Sequence, residues 1–311
     1  MKALILGGTG FIGSHISVQL AKLNQDVRVY SPSAKRFSFT ENITCVNGFI
    51  ADKGELKKHV EWADVVLHFV STTNPKTSMV DHYHDLDSNL LPFVQLLEMV
   101  KEYKEKKIVF CSSGGAVYGK AADHPIKETD IKQPSTSYGL VKSLMEEYIM
   151  YYHRKFAIPF LILRPANVYG PKTRSVGEQG IISTLLYNAV HDQSTRLWVP
   201  LTNTRDFIYI DDFTEAVIDL LDAQAEGVFN IGSGKGFSLS QIIRAVQLCT
   251  DKDLKIEMAH EFVEDEGINI LDNSKIHSLT GWMPQVSINA GIANVYQQML
   301  SSIKENELLN L

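Results

Sequence analysis

The segment GGTGFIG, residues 7–13, decides the fold of this 311-residue chain. Its glycines, Gly7, Gly10 and Gly13, directly follow the apolar run 3–6 and open a helical pattern. In that context Gly7 permits a tight turn, Gly10 lets backbone N–H groups approach a pyrophosphate, and Gly13 lets the helix pack on the strand. The segment therefore predicts the phosphate-binding loop of a dinucleotide cofactor.

Two further parts of the predicted cofactor site lie around this loop. Phe11 and Ile12 carry backbone N–H groups at the helix N-terminus, which favours an anion. The second apolar run ends in Ser31, where folds that bind NAD usually carry an acid for the ribose diol. Lys35 and Arg36 follow, and such cations suit the 2′-phosphate of NADP. We expect NAD, with NADP as the open alternative.

The first 165 residues alternate between short apolar runs and longer helical patterns. Strands are predicted at 3–6, 27–30, 43–46, 65–69, 108–111 and 160–163. Helices are predicted at 12–23, 56–62, 89–104 and 137–156. Unbroken apolar strands that alternate with helices are typical of a parallel sheet covered on both faces. The chain is therefore predicted to be α/β, with a Rossmann-type, doubly wound parallel sheet.

The later part of the chain is less regular, and we expect it to form a smaller C-terminal α/β region. Helices are predicted there at 181–190, 212–221, 239–248 and 288–301, and strands at 207–210 and 228–231. We assign residues 1–170, with parts of 205–235, to the dinucleotide-binding domain. Residues 171–311 are assigned to the substrate-binding region.

Composition excludes several classes of partner. The net charge is −6 and both signs are mixed along the chain, which argues against nucleic acid. The three cysteines are sparse and lack CxxC spacing, so a reducing compartment is expected, with no zinc site. No apolar window approaches the length of a membrane span, and the apolar run at the N-terminus is too short for a signal peptide. We therefore expect a cytoplasmic protein.

Tyr138 and Lys142 lie four residues apart at the start of a predicted helix. This spacing places both side chains on one face, one turn apart. A phenol with a pKa near 10 is a poor base at neutral pH, and a neighbouring ammonium favours its ionised form. Together with the glycine loop, the pair predicts proton transfer to or from a substrate hydroxyl.

At this point the sequence resembles the extended short-chain dehydrogenase/reductase family, and within it the nucleotide-sugar 4-epimerases of the UDP-glucose 4-epimerase type. The resemblance covers nearly the whole chain and depends on several motifs in the same order. They are GGTGFIG, SSGGAVYG, SYGLVK, LRPANVYGP, RDFIYIDD, FNIGSG and DNSK followed by GWMP.

The resemblance implies a role for each matching residue. Tyr138 would be the acid/base on the sugar 4-hydroxyl, and Lys142 would hold the nicotinamide ribose and lower the pKa of Tyr138. The other implied contacts are Pro165 beside the nicotinamide, Asn167 and Arg205 at the diphosphate, and Asn89 as a support of the active-site strand and helix within the cofactor-binding set.

A catalytic Ser or Thr is also implied at the end of the fifth strand, where this chain has Ser112 and Ser113. Counting back from the VYG motif reaches Gly114, which has no hydroxyl, whereas counting from Phe110 reaches Ser113. We predict Ser113 as the catalytic hydroxyl and Ser112 as the reserve, both near the substrate.

Three departures from the family pattern concern ligand binding. Ser31 replaces the acid at the ribose, and Phe49 stands where the family often has an Asp near the adenine. Phe262 occupies the place of a diphosphate-binding arginine, for which Lys172 and Arg174 are candidate substitutes. The segment DHYHD, residues 81–85, is interpreted as a solvated loop and not as a metal site, because its histidines are two apart.

The resemblance implies a 4-epimerase that transiently oxidises C4 of a UDP-hexose or UDP-N-acetylhexosamine, in polysaccharide biosynthesis. The alternative is an NAD(P)H-dependent reductase of a 4-keto-6-deoxy nucleotide sugar. A 4,6-dehydratase is disfavoured because Gly115 and Ala116 stand in place of its carboxylate pair. A non-catalytic sensor is disfavoured because Tyr138 and Lys142 are both present. The tyrosine-rich end of that helix, YIMYYHRKF, predicts a homodimer.

Overall fold

The computed structural model describes residues 1–39, 41–119, 124–171, 180–259 and 267–309, with side chains described as far as residue 303. The strands are β1 Lys2–Leu6, β2 Asp26–Ser31, β3 Ile43–Asn47, β4 Val65–His68, β5 Lys107–Cys111, β6 Phe160–Pro165, β7 Asn167–Tyr169, β8 Ser194–Leu197, β9 Thr204–Tyr209, β10 Gly227–Ile231, β11 Gly236–Ser238, β12 Lys255–Met258 and β13 Ile268–Asn269. The α-helices are α1 Phe11–Lys22, α2 Lys53–Trp62, α3 His82–Asp85, α4 Leu91–Val100, α5 Gly114–Val117, α6 Ser137–Phe156, α7 Ile181–Val190, α8 Ile210–Asp222, α9 Leu239–Thr250, α10 Ser274–Thr280 and α11 Ile288–Leu309. A π-helical turn, Leu86–Leu90, joins α3 to α4.

The largest sheet has seven parallel strands in the order β10-β6-β5-β4-β1-β2-β3. This arrangement confirms the predicted α/β fold with a Rossmann-type sheet. From β1 the strands β2 and β3 follow toward one edge of the sheet, and β4, β5, β6 and β10 follow toward the other edge. In such sheets ligands bind at the carboxyl ends of the strands near the reversal. The GGTGFIG loop follows β1 at that point.

The pattern of the first strand shows why the sheet is buried on both faces. Ala3 and Ile5 belong to one apolar cluster, and Leu4 and Leu6 belong to the other. All four side chains are fully buried. Because successive residues of a strand point to opposite faces, a continuous apolar run requires cover on each side. Helices α1 and α8 contribute to one cluster and helices α2, α4 and α6 to the other.

The remaining strands form two smaller sheets. One has the order β11-β9-β13, with β7 also paired to β9, and the other pairs β12 with β8. Strand β10, from the second half of the chain, adds to the edge of the large sheet beside β6. The four helices predicted after residue 171 are present as α7, α8, α9 and α11. The division of the chain at residues 170 and 171 stays a prediction.

Candidate active site

Helix α6 is held at its first turn from two sides. The Thr136 side chain caps the helix by accepting a hydrogen bond from the Gly139 backbone N–H. A Cβ at Gly139 would lie 2.4 Å from the carbonyl oxygen of Ala116, so glycine lets α6 begin directly against α5. The backbone N–H of Tyr138 donates to Ser78 Oγ at 3.0 Å. The position of Tyr138 is therefore fixed by its own helix and by the segment that follows β4.

The two neighbouring serines after β5 have different partners. The Ser113 hydroxyl is hydrogen-bonded to the phenol of Tyr138. Ser112 is buried, and its hydroxyl donates to Glu146 Oε1 at 2.5 Å. Successive side chains of an extended segment point to opposite sides, so only one of the pair can reach Tyr138. The structure places Ser113 at the Tyr138 phenol and Ser112 at a buried carboxylate. The substrate contacts of both serines stay predictions.

Lys142 lies one turn after Tyr138 and is almost fully buried. Its Nζ donates to the Cys111 carbonyl oxygen at 3.0 Å and lies 5.7 Å from the centroid of the Tyr138 ring. Burial lowers the pKa of Lys142. The sequence led us to expect that Lys142 lowers the pKa of Tyr138. In the structure that pKa is raised, first by burial and then by the electrostatic effects of Cys111 and Asp85.

Asn89, predicted as a cofactor contact, uses its amide within the protein. Its Oδ1 accepts from the Thr72 backbone N–H at 2.9 Å. Its Nδ2 lies 3.1 Å from Asp85 Oδ1 and 3.2 Å from Thr73 Oγ1. These bonds join the π-helical turn to the segment after β4. The contact of Asn89 with the cofactor stays a prediction.

Asp85 is a buried carboxylate that the sequence analysis missed. It ends the DHYHD segment, which was interpreted as a solvated loop, yet its side chain is fully buried. The histidines His82 and His84 are exposed, as expected. One feature of the sequence could have indicated this burial. Asp85 lies four residues before Asn89, and residues four apart share one face of a helix.

The cofactor loop has the geometry that a pyrophosphate requires. Gly7 adopts a φ of +78°, and its carbonyl oxygen accepts from the Gly10 N–H at 3.0 Å. A Cβ at Gly13 would lie 2.4 Å from the Gly7 oxygen, so no larger residue fits. The first turn of α1, with Phe11 and Ile12, has no side-chain cap and no acidic residue. Its positive end is therefore available to an anion.

The ribose end of the predicted cofactor site carries a hydroxyl where a carboxylate is usual. Ser31 is buried at the end of β2, and its Oγ lies 2.7 Å from Thr9 Oγ1 in the glycine loop. Lys35 and Arg36 are exposed in a short 3-10 helix just beyond it. Phe49 is 66% exposed. The hydroxyls of Ser31 and Thr9 fit a ribose, and the cations Lys35 and Arg36 follow Ser31 closely in the sequence.

The predicted substrate residues lie on neighbouring strands. Pro165 ends β6, and Asn167 begins β7 with its Nδ2 donating to the Asp206 carbonyl oxygen at 2.9 Å. A Cβ on Gly115 would lie 3.9 Å from Asn167 Oδ1 and 4.0 Å from Ser113 Oγ, so these two side chains flank one glycine. Arg205 on β9 donates to the Gly267 carbonyl oxygen at 2.6 Å. Lys172, Arg174 and Phe262 lie outside the described residues.

A second missed feature is the buried ion pair of Glu146 and Arg164. Arg164 donates to both carboxylate oxygens, at 3.0 and 2.7 Å, and Lys132 Nζ lies 3.1 Å from Oε2. Burial opposes the charge, but the hydrogen bonds and charge of Arg164 outweigh it, so the pKa of Glu146 is lowered. Glu146 is one helical turn beyond Lys142. The pair therefore joins the helix that carries Tyr138 and Lys142 to β6 and, through Ser112, to the end of β5.

The structure also bears on metal binding and on membrane insertion. Within the described ranges, no group of three or more His, Cys, Asp or Glu side chains is arranged to hold a metal ion. None of the helices described here combines the length and the apolar character that crossing a membrane requires.

The fold and the Ser113, Tyr138 and Lys142 cluster define a dinucleotide-dependent enzyme of the short-chain dehydrogenase/reductase type. A family model described as the NAD dependent epimerase/dehydratase family matches residues 3–232. The chain belongs to this family.

Individual relatives agree with that assignment. The chain is 34% identical over 308 residues to a Methanocaldococcus jannaschii protein assigned as a UDP-glucose 4-epimerase, covering 95% of this chain and 97% of the relative. Two solved structures each have a TM-score of 0.89 and cover 97% of this chain and 100% of theirs. They are the Thermotoga maritima UDP-glucose 4-epimerase with UDP-glucose, 26% identical, and the Thermus thermophilus UDP-glucose 4-epimerase with NAD, 27% identical.

Proposed function

We propose that this protein is an NAD-dependent nucleotide-sugar 4-epimerase that acts on a UDP-hexose or a UDP-N-acetylhexosamine. One observation carries the proposal: the hydrogen bond between Ser113 and Tyr138, with Lys142 one turn away, at the sheet edge that also holds the glycine loop. The names of the relatives support the UDP-sugar substrate. In this assignment residues 1–170, with parts of 205–235, form the dinucleotide-binding domain, and residues 171–311 form the substrate-binding region.

The chain's own residues divide the proton chemistry between them. Tyr138 takes the proton of the sugar 4-hydroxyl and returns it to the same oxygen after the 4-keto sugar has turned in the site and taken the hydride back at C4 on its other face. Ser113 hydrogen-bonds the same oxygen and aligns it with the phenol. Bound NAD supplies the hydride acceptor and a positive ring that favours the phenolate. The sugar loses the hydroxyl proton to Tyr138 and a hydride from C4. These two losses together oxidise the alcohol, so the sugar becomes a 4-ketose.

Two cations offer charge for the diphosphate of such a substrate. Lys76 Nζ lies 5.2 Å and the Arg196 guanidinium 4.6 Å from the centroid of the Trp198 ring. Lys76 is two residues from Ser78, which binds the Tyr138 backbone, so the cluster is close in sequence to the reacting groups. The aromatic ring orders two long side chains that would otherwise be mobile. We infer that this cluster, with Arg205, offsets the arginine that Phe262 replaces.

Two finer features complete the proposal. Tyr148 and Tyr151 on α6 are 38% and 44% exposed, and Leu140 on the same helix is 50% exposed. Exposed aromatic and aliphatic residues on one helix favour a homodimer built on α6. The sparse cysteines favour a cytoplasmic location.

The proposal is tested by purification without added cofactor. The protein is denatured, the released nicotinamide nucleotide is identified, and a second sample is incubated with UDP-glucose alone. Near-stoichiometric NAD and the appearance of the C4 epimer are expected. An empty protein that binds NADPH more tightly than NADH and converts no UDP-sugar would instead indicate the reductase.

A further inference from the structure

Asp85 joins three segments of the chain at the active site. Its Oδ1 accepts from Thr73 Oγ1 at 2.5 Å and from Asn89 Nδ2 at 3.1 Å. Its Oδ2 accepts from Ser137 Oγ at 2.7 Å. The three donors belong to the segment after β4, the π-helical turn and the first residue of α6. Both carboxylate oxygens are therefore used, and neither faces solvent.

We propose that Asp85 is a positioning residue for Tyr138, a role that rests on the proposed function. Ser137 immediately precedes Tyr138, so the bond from Ser137 to Asp85 fixes the helix one residue from the phenol. The segment after β4 is held by Thr73 at one point and binds the Tyr138 N–H through Ser78 at another. Asp85 thus connects both supports of Tyr138.

The cost of burying Asp85 indicates that this position does more than fill space. An isolated buried carboxylate is strongly unfavourable, and the three donors offset that cost only while all of them stay in place. A carboxylate that needs all three donors is held in a single orientation, and it holds the three donor side chains in place in turn. An apolar side chain of similar size would pack without fixing Ser137.

The charge of Asp85 also acts on the groups that react. Burial raises the pKa of Tyr138 and lowers that of Lys142, and these are the largest effects; the negative charge of Asp85 adds to the rise for Tyr138 and opposes the fall for Lys142. Among the residues that the structure describes, three other titratable groups face this pair. They are Cys111 on β5, Glu146 on α6 and His68 on β4. The change Asp85→Asn leaves these three in place and removes one negative charge.

The test is the Asp85→Asn variant of the NAD-loaded protein, assayed with UDP-glucose across a pH range. A tyrosine base gives the acid limb of the profile and the Lys142 ammonium gives the alkaline limb. Loss of the negative charge lowers both pKa values, so both limbs shift to lower pH. We expect kcat to fall about 10- to 100-fold with little change in KM, because small misplacements have effects of this size.

Two further variants separate position from charge. Ser137→Ala cuts the bond to α6 and keeps the carboxylate, so kcat is expected to fall without any shift of the limbs. If Asp85→Asn does not fold, Thr73→Val takes its place. It removes one donor to Asp85 and keeps the carboxylate, so kcat is again expected to fall without any shift of the limbs. Hydrogen exchange of the backbone at 137–142 is measured in parallel and should be faster in Asp85→Asn and Ser137→Ala.

Several outcomes overturn the inference or its foundation. A folded Asp85→Asn protein with the wild-type kcat and pH profile would refute the role of Asp85, as would unchanged exchange at 137–142 in both variants. If kcat of Asp85→Asn fell equally at every pH, its effect would be only structural, and the proposed role of Asp85 would also be refuted. A wild-type protein without epimerase activity would refute the proposed function, and the exchange measurement would still decide whether Asp85 positions α6.

Discussion

The Ser113 hydroxyl hydrogen-bonds the Tyr138 phenol, although the two residues come from different elements of the fold. Ser113 follows β5 and directly precedes the short helix α5, whereas Tyr138 lies in the first turn of α6. The bond exists because Gly139 lets α6 begin against α5. It places two hydroxyls where a third, from the substrate, can join them.

Exchanging each serine for alanine should separate catalysis from stability. Ser113→Ala removes the partner of Tyr138, and kcat is expected to fall about 10²-fold while the unfolding free energy changes little. Ser112→Ala leaves the buried Glu146 with one donor fewer and should lower the unfolding free energy by about 1 to 3 kcal/mol. Steady-state kinetics and urea titrations of both variants measure this. The reverse pattern would make Ser112 the catalytic hydroxyl.

A methyl group at Gly13 should abolish cofactor binding. Its Cβ would lie 2.4 Å from the Gly7 carbonyl oxygen, so the turn must open and the loop loses the shape that fits a pyrophosphate. The matched control is Gly54→Ala on α2, where the nearest atom would be 4.0 Å away. NAD content after purification is the measurement. Wild-type NAD content in Gly13→Ala would show that this loop does not hold the cofactor.

The ion pair of Glu146 and Arg164 should make stability depend on pH in acid. The folded-state pKa of Glu146 lies below its unfolded value, so the pair stabilises the protein fully above the unfolded pKa. This stabilisation is lost as the pH falls through the folded pKa.

The variant that tests this dependence is Glu146→Gln. Removing one partner of a buried pair should lower the unfolding free energy by about 3 to 5 kcal/mol at neutral pH and flatten the acid dependence. Thermal melts between acid and neutral pH measure both effects. An equal acid slope in wild type and variant would place the titrating group elsewhere.

The cluster of Lys76, Trp198 and Arg196 should bind phosphate by charge. Lys76→Gln and Arg196→Gln are each expected to weaken UDP binding by about 10-fold and to leave uridine binding unchanged, since a hydrogen bond to a charged group contributes about 1.5 to 3 kcal/mol. Arg244→Gln on α9, also exposed, is the matched control. Calorimetric titration with UDP and uridine is the assay. Equal losses for both ligands would indicate stacking of the base, and no loss for either would exclude the cluster from the site.

Much of the fold could be predicted because it depends on local pattern. The strands of the parallel sheet are buried on both faces and appear in the sequence as short apolar runs, and the helix that carries Tyr138 has a recognisable start. Strands such as β11 and β13 were missed, because two or three residues are too few to show a period. They are fixed by pairing with β9 across distant parts of the chain.

The site was predicted less completely, for a different physical reason. Tyr138 and Lys142 have the four-residue spacing of two side chains on one helix face. Gly7, Gly10 and Gly13 have the three-residue spacing of the glycine loop. The buried partners Asp85 and Glu146 are defined by donors far away in sequence, which no local pattern shows. The direction of the Tyr138 pKa also depends on burial, so the proximity of a lysine alone predicted it wrongly.

Epimerisation by transient oxidation is tested by following the hydrogen on C4. UDP-glucose carrying deuterium at C4 is incubated with the purified protein in ordinary water without added cofactor, with Tyr138→Phe as the inactive control. We expect a C4 epimer that retains the deuterium at C4, because the same hydride leaves and returns. An epimer without deuterium, no epimer at all, or turnover that requires added NADPH would contradict it.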